Sequence, residues 1–178
     1  MATEKMVAFW LMPTGEARVF FRKLIAELAG RCDAPEFEAH VTLAGGDIAE
    51  ADALAILRRL TGREPLELEI ERIDFSAEYT KTLFVQFRSS PEIETLAAEI
   101  QRGAGTDYEL KPHLSLLYKE MAAAEKEELA NEVFVPFRRV SFDRVKVIAT
   151  PHPITTREQV EAWRTLGEGR PLKAIRAD

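Results

Sequence analysis

Apolar positions along the chain switch repeatedly between a period of two and a period near 3.6, which predicts alternating strands and helices. Val7 to Met12 is a continuous apolar run ended by Pro13 and predicts a buried strand. Ala17, Phe20, Phe21, Leu24, Ile25 and Leu28 then recur at helical spacing, with Gly30 as the expected stop. Phe37 to Leu43 predicts a strand and Gly45-Gly46 its turn. Asp47 to Glu50 has the form of a capping box, opening a helix that Ile48, Ala51, Leu54 and Ala55 carry and Gly62 closes. Leu66, Leu68 and Ile70 alternate, and Ile73 and Phe75 alternate in the opposite parity. Either a β-bulge lies near Glu71-Arg72 or two strands meet there.

Thr82 to Phe87 predicts a further strand. Ser90-Pro91-Glu92 is a helix start, with a cap residue, proline at the first helical position and then an acid. Ile93, Leu96, Ala97 and Ile100 carry that helix to Gly103. Pro112 opens a strand from His113 to Leu117, and an alanine- and glutamate-rich helix is expected over Met121 to Glu132. Val140 and Phe142 alternate, and Val145, Val147 and Ala149 continue in shifted phase. A last strand is expected over Gln159 to Leu166, and an irregular tail from Gly167.

The chain repeats itself. His40-Val41-Thr42-Leu43 returns as His113-Leu114-Ser115-Leu116, and Ile70 to Phe75 returns as Phe142 to Val147, phase shift included. Each copy reads strand, helix, histidine strand, helix, long bent strand. Two such copies predict a single bilobal α+β domain over residues 1–178, with two antiparallel sheets flanked by helices. The site would lie in a groove where the copies face each other.

Composition narrows the function. The chain is 46% apolar and 30% charged over 178 residues, the balance of a folded globular protein. Its 30 acids and 24 bases leave a net charge of -6, the wrong sign for gripping long nucleic acid through its phosphates. A nucleotide partner would be small or held in one local pocket. Cys32 is the only cysteine, which excludes an internal disulfide or a Cys-rich zinc site and fits a reducing, cytoplasmic setting. The run from Met6 to Pro13 is too short to span a bilayer, and acidic Glu4 ahead of it does not suit a signal peptide.

Two of the three histidines share one pattern: His, apolar, Thr or Ser, Leu. Side chains alternate faces along a strand, so His40 projects with Thr42, and His113 with Ser115, over apolar residues that anchor the back. Two such strands brought together give two imidazoles and two hydroxyls, a set suited to a tetrahedral phosphate. One imidazole can take a proton from water while the other gives one to a leaving oxygen, and an ordinary pKa of about 6.5 serves both near neutral pH. His152, in Pro-His-Pro, lacks the pattern and is expected in a turn. Trp10 and Phe84 could stack on a base, with core packing as the alternative. Lys81, Lys111 and Lys119 could add positive field. No P-loop, GxGxxG, nucleophile elbow or spaced metal-ligand set is present.

The paired motifs resemble the signature of the two-histidine (2H) phosphoesterases. Phe9 to Pro13, Ala39 to Leu43 and Pro112 to Tyr118 are most similar to the cyclic phosphodiesterase branch of that superfamily. The resemblance implies a LigT-like fold with the site in the groove and His40 and His113 as the acid/base pair. It further implies Thr42 and Ser115 on the phosphate, Tyr118 as a further phosphate contact, and no metal or other cofactor. Strict alternation places Tyr118 opposite His113 and Ser115, so it joins them only if the strand ends or bulges near Leu117. The implied activity opens a 2',3'-cyclic nucleotide or ADP-ribose 1'',2''-cyclic phosphate to a phosphomonoester. The alternatives are an enzyme acting on RNA ends, either a 2',3'-cyclic phosphodiesterase or a 2'-5' RNA ligase-like enzyme, which a basic groove rim would favour, and a binding module for terminal phosphates. The expected partner is a small cyclic phosphate, with no membrane partner and a monomeric chain.

Overall fold

The computed structural model describes residues 4–60 and 63–169. The elements run β1 (Glu4–Pro13), α1 (Gly15–Cys32), β2 (Val41–Gly46), α2 (Glu50–Arg59), β3 (Leu66–Phe75), a 3-10 turn (Tyr79–Lys81), β4 (Leu83–Phe87) and α3 (Pro91–Ala104). They continue with β5 (His113–Leu117), α4 (Ala123–Glu132), β6 (Arg139–His152), α5 (Arg157–Glu161) and β7 (Arg164–Glu168). The order β1-α1-β2-α2-β3 thus returns as β4-α3-β5-α4-β6.

The α+β class and the antiparallel pairing are as expected. The expected two sheets, however, are one hydrogen-bonded sheet of order β1-β2-β5-β4-β3-β6-β7, with β1 also paired to β6. Each half lends its long strand to the other: β6 lies along β1, and β3 along β4. The halves also meet where β3 pairs β6 over Leu66–Glu69, and where β2 touches β5 at the pair Val41–Leu114.

Four bulges set which side chains face the site. The phase shifts in the sequence are bulges: Ile70 and Arg72 oppose consecutive β4 residues, and Arg144 and Phe142 oppose consecutive β1 residues. The two histidine strands carry a matching pair. Trp10 and Phe9 oppose Thr42 and Ala44, which leaves Leu43 extra, and Phe84 and Leu83 oppose Ser115 and Leu117, which leaves Leu116 extra. A bulge inverts the parity beyond it. Val41, Leu43 and Ala44 therefore all enter the main core, as do Leu114, Leu116 and Leu117.

That core fills the helix-covered face of the sheet. α1 lies over β5, α3 over β2, α4 over β3, and α2 over β6 and β7. Phe9, Leu11, Phe21, Ile25, Leu43, Phe87 and Leu114 are fully buried there, each contributing about 1.5–3 kcal/mol of hydrophobic stabilisation. The opposite face of β1 and β6 carries a smaller cluster of Ala8, Trp10, Met12 and Ile148, with Trp163 against it.

Several boundaries differ from the sequence reading, each for a local reason. α1 runs through Gly30 and ends at Asp33, in the left-handed region at φ 49°. Arg31 donates to Glu132 at 2.6 and 2.8 Å and holds that extra turn. Residues 37–40 are not strand, because the Glu38 carbonyl bonds to the His40 ring. Gly45 and Gly46 belong to β2, paired with Ala8 and Val7, rather than to a turn, and a Cβ on Gly46 would come within 2.8 Å of Thr106. The strand's continuation delays α2, whose cap is Ala49 with no side-chain bond, so the Asp47 capping box does not form. Ser90 caps α3 as expected, accepting from the Ile93 amide. In place of a strand from Gln159, Thr156 and Gln159 make a capping box on α5, and β7 follows. Gly62 and the tail from residue 170 lie outside the described residues.

Candidate active site

Val41 opposite Leu114 in antiparallel register sets His40 beside Ser115 and Thr42 beside His113. All four side chains line one cavity of about 490 Å³, and Trp10 and Tyr118 line it too. Tyr118 follows the last residue of β5, beyond the bulge at Leu116, which carries it to the site side.

The two imidazoles are fixed alike. His40 Nδ1 lies 2.6 Å from the Glu38 carbonyl, and His113 Nδ1 lies 2.7 Å from that of Lys111, each two residues back. A carbonyl only accepts, so Nδ1 carries the proton in both rings and Nε2 is the nitrogen left for a reacting group. Two rings thus offer the same atom to one cavity in the same tautomer.

Their surroundings differ. The Trp10 indole stacks on the His40 ring, with centroids 3.6 Å apart and planes inclined by 9°. Phe37 and Trp163 present their edges to it. This shell leaves His40 only 7% exposed and pushes its pKa down to about 3, chiefly by burial, with His113 and Lys146 adding to the effect and the Glu38 carbonyl opposing it. His113 stands at the start of β5, edge-on to Phe84, and is less enclosed. Burial lowers its pKa too and Lys81 adds to this, while the Lys111 carbonyl and Glu78 oppose it. Both rings are therefore neutral at pH 7, below the titration range that the sequence alone suggests.

The hydroxyls differ as well. Ser115 Oγ donates to the Thr80 carbonyl at 2.7 Å, so its proton is engaged within the protein. Tyr118 is stacked on Phe37 at 3.8 Å and 9°, and burial raises its phenol well above the usual range, opposed by a hydrogen bond to Ser115. Lys81 lines the cavity with its ammonium 4.3 Å from the Phe84 ring centre. Lys111 and Lys119 lie elsewhere, Lys111 paired with Glu109 and Lys119 bonded to the Asp33 carbonyl. Phe84 is buried beneath Lys81. Among the described residues no group of three or more His, Cys, Asp or Glu side chains could hold a metal ion.

Several lining residues escape the sequence reading: Glu78, Tyr79, Thr80, Tyr108, Trp163 and His152. His152 ends β6 rather than sitting in a turn. Trp163 touches the rings of Trp10, Phe37, His40 and Tyr118. The chain has only two tryptophans, and they meet edge to face at 5.0 Å. A tryptophan in so polar a stretch as residues 155–165 is the signal that could have pointed there.

Comparison with known proteins identifies the family and the fold. A cyclic phosphodiesterase of Arabidopsis thaliana is 24% identical over 164 residues, covering 88% of this chain and 90% of its own. Similar folds include E. coli LigT complexed with 3'-AMP (TM-score 0.62, 13% identity, 97% of this chain and 100% of that one). TT0787 of Thermus thermophilus is another (TM-score 0.60, 15% identity, 92% and 96%). Residues 15–152 match the sequence model of the 2'-5' RNA ligase superfamily. The chain belongs to that superfamily, the two-histidine phosphoesterases that its paired motifs resemble.

Proposed function

We propose that the protein is a cyclic phosphodiesterase that opens a small cyclic phosphate by two-histidine acid/base catalysis without a metal. The observation that carries this reading is the matched tautomer of His40 and His113, each fixed through Nδ1 and each lining the same cavity. The chain works as one domain whose repeated halves each supply one histidine.

Water attacks phosphorus in line with the ribose oxygen that leaves. His40 Nε2 takes the water proton, the bond from phosphorus to that oxygen breaks, and His113 Nε2–H returns a proton to it. The product is a phosphomonoester, the 2'-phosphate from a 2',3'-cyclic nucleotide. His40 suits the base because its enclosure keeps it neutral. His113 suits the acid because it is less enclosed than His40, so its cation is easier to form. A bound phosphate anion raises the pKa of both rings. Thr42 donates to a phosphate oxygen. Ser115 does so once its proton leaves the Thr80 carbonyl, and Tyr118 borders the same space.

Among the described residues, the charged side chains on the cavity wall other than histidine are Glu78 and Lys81, one of each sign. Such a wall favours a small cyclic phosphate over a polyanionic RNA end. The test is a panel of 2',3'-cyclic mononucleotides, ADP-ribose 1'',2''-cyclic phosphate and a short RNA ending in a 2',3'-cyclic phosphate, assayed in chelator with products identified by phosphorus NMR. Turnover of the small substrates in chelator is expected. Binding without turnover of any of them would make the protein a phosphate-recognition module instead.

A further inference from the structure

His40 stands on weaker footing than His113. The His113 segment is bound into the β4–β5 ladder: Gln86 pairs with His113, and the Phe87 amide and Gln86 Nε2 both donate to the Pro112 carbonyl, at 3.0 and 2.8 Å. His40 lies one residue before β2, past the last β1–β2 pair, Leu11–Val41, and residues 34–40 have no regular structure. The carbonyl that fixes its ring belongs to Glu38, so the ring is placed only as well as that peptide.

The Glu38 carboxylate accepts from Lys146 Nζ at 2.6 Å. Lys146 lies on β6 directly across from Trp10, the residue that stacks on His40. Its side chain is 8% exposed, while that of Glu38 is 51% exposed. An ammonium is rarely so enclosed without a reason, because ion pairs of this kind do little for stability that apolar side chains would not do as well. Neither group takes or gives a proton in the acid/base chemistry, and Lys146 adds only a minor share to the depression of the His40 pKa. The contacts do close a loop: β6 holds Glu38, Glu38 holds the His40 ring edge, and Trp10 on the neighbouring strand holds its face.

We propose that the Lys146–Glu38 ion pair is a positioning clamp that fixes the His40 imidazole relative to His113 and the phosphate between them. This rests on the reading of His40 as one of the acid/base pair. Both residues act through His40 and neither touches the substrate.

The experiment uses the full chain and the variants Lys146→Met, Glu38→Ala, Glu38→Gln and Lys146→Met/Glu38→Ala. Substitution at Glu38 keeps its backbone carbonyl, so any effect reports the side chain. The first readout needs no turnover: the His40 Nδ1–H resonance and its Overhauser contact to Trp10 in proton NMR. The clamp predicts that both signals weaken in Lys146→Met and Glu38→Ala and persist in Glu38→Gln, whose amide oxygen still accepts from Lys146. The second readout is steady-state kinetics. Misplacing a catalytic group by an ångström can cost roughly 100-fold, so kcat should fall about 10- to 100-fold in the two disrupting variants with KM little changed. The double variant should be no worse than the weaker single, and Glu38→Gln should approach the parent.

The pH profile adds a signature that a merely structural role would not give. The charged or titratable groups facing His40 are Lys146 from β6 and His113 from β5, with Glu38 on its own segment. Removing the Lys146 cation moves the acid limb upward, whereas Glu38→Ala leaves that cation in place and does not. Persistence of the resonance and of kcat in both single variants would overturn the proposal, as would losses that multiply in the double variant. If Lys146→Met fails to fold, half-exposed Glu38 still decides through its alanine and glutamine variants. If the parent turns over none of the panel, the functional reading fails while the resonance comparison still tests the clamp.

Discussion

The face of the Trp10 indole that a substrate base could use is covered by the His40 imidazole, 3.6 Å away and nearly parallel. Trp10 supports the His40 ring on that side and keeps water from it. Trp10→Ala should cost about 3–5 kcal/mol of stability, as large buried aromatics do. It should also raise the pKa of His40 from about 3 towards the ordinary histidine value, because burial is the main cause of the depression. Trp10→Phe should preserve most of both properties. An NMR pH titration of His40 decides; an unchanged low pKa in Trp10→Ala would mean the enclosure comes from elsewhere.

The two histidines should fail as a pair. Proton transfer by one positioned side chain is worth roughly 10²–10⁴-fold, so His40→Ala and His113→Ala should each cut kcat by about that factor. The double variant should lose less than the product, because groups that act in one step are not additive. Single-turnover rates on the best cyclic phosphate measure this, and full multiplicativity would show that the rings act in separate steps.

The pH optimum for kcat/KM should lie on the acid side of neutrality. The base must be neutral, which His40 is above about pH 3, and the acid must be protonated, which His113 is only below its own depressed pKa. The free enzyme therefore loses activity as pH rises through a value under the ordinary 6.5 of histidine. The limbs of kcat should sit higher, since bound phosphate favours both cations. A kcat/KM plateau extending well above pH 7 would contradict the assignment of His113 as acid.

The hydroxyls match in sequence and differ in the fold, so their variants should separate. Ser115→Ala removes a donor from the Thr80 carbonyl as well as a phosphate contact. It should lower stability by about 1 kcal/mol and also slow turnover. Thr42→Ala should slow turnover with a smaller change in melting temperature. Parallel melting and kinetic measurements test this, and equal stability losses would mean that the Ser115–Thr80 bond contributes nothing.

Much of this site is legible in the chain because its repeat is legible. The bulges at Glu71 and Asp143 show in the sequence because charged residues flank them and the apolar phase visibly jumps. Those at Leu43 and Leu116 are hidden because the bulged residue and its neighbour, Ala44 or Leu117, are both apolar and both belong in the core. Yet the hidden bulge at Leu116 is what brings Tyr118 to the cavity. The aromatic shell is illegible for another reason: Trp10 and Trp163 reach His40 from segments far from it in sequence, and local periodicity says nothing about such meetings. The Lys146–Glu38 pair spans 108 positions and escapes pattern reading in the same way.

His152 provides the control. It lines the cavity, but it pairs across from Glu4 on β1, whereas His40 is stacked on Trp10 of that strand. Six residues of strand separate those positions by about 20 Å, too far for the His152 ring to reach a phosphorus held between His40 and His113. His152→Ala should therefore leave kcat and its pH profile unchanged on a 2',3'-cyclic mononucleotide. Any effect should appear in KM, and only with substrates whose leaving group extends along β1 and β6 towards the end of the cavity. Comparing a mononucleotide with ADP-ribose 1'',2''-cyclic phosphate in the same variant tests this directly. If His152→Ala slowed turnover of the mononucleotide as much as His113→Ala does, the assignment of catalytic roles to the two matched motifs would be wrong.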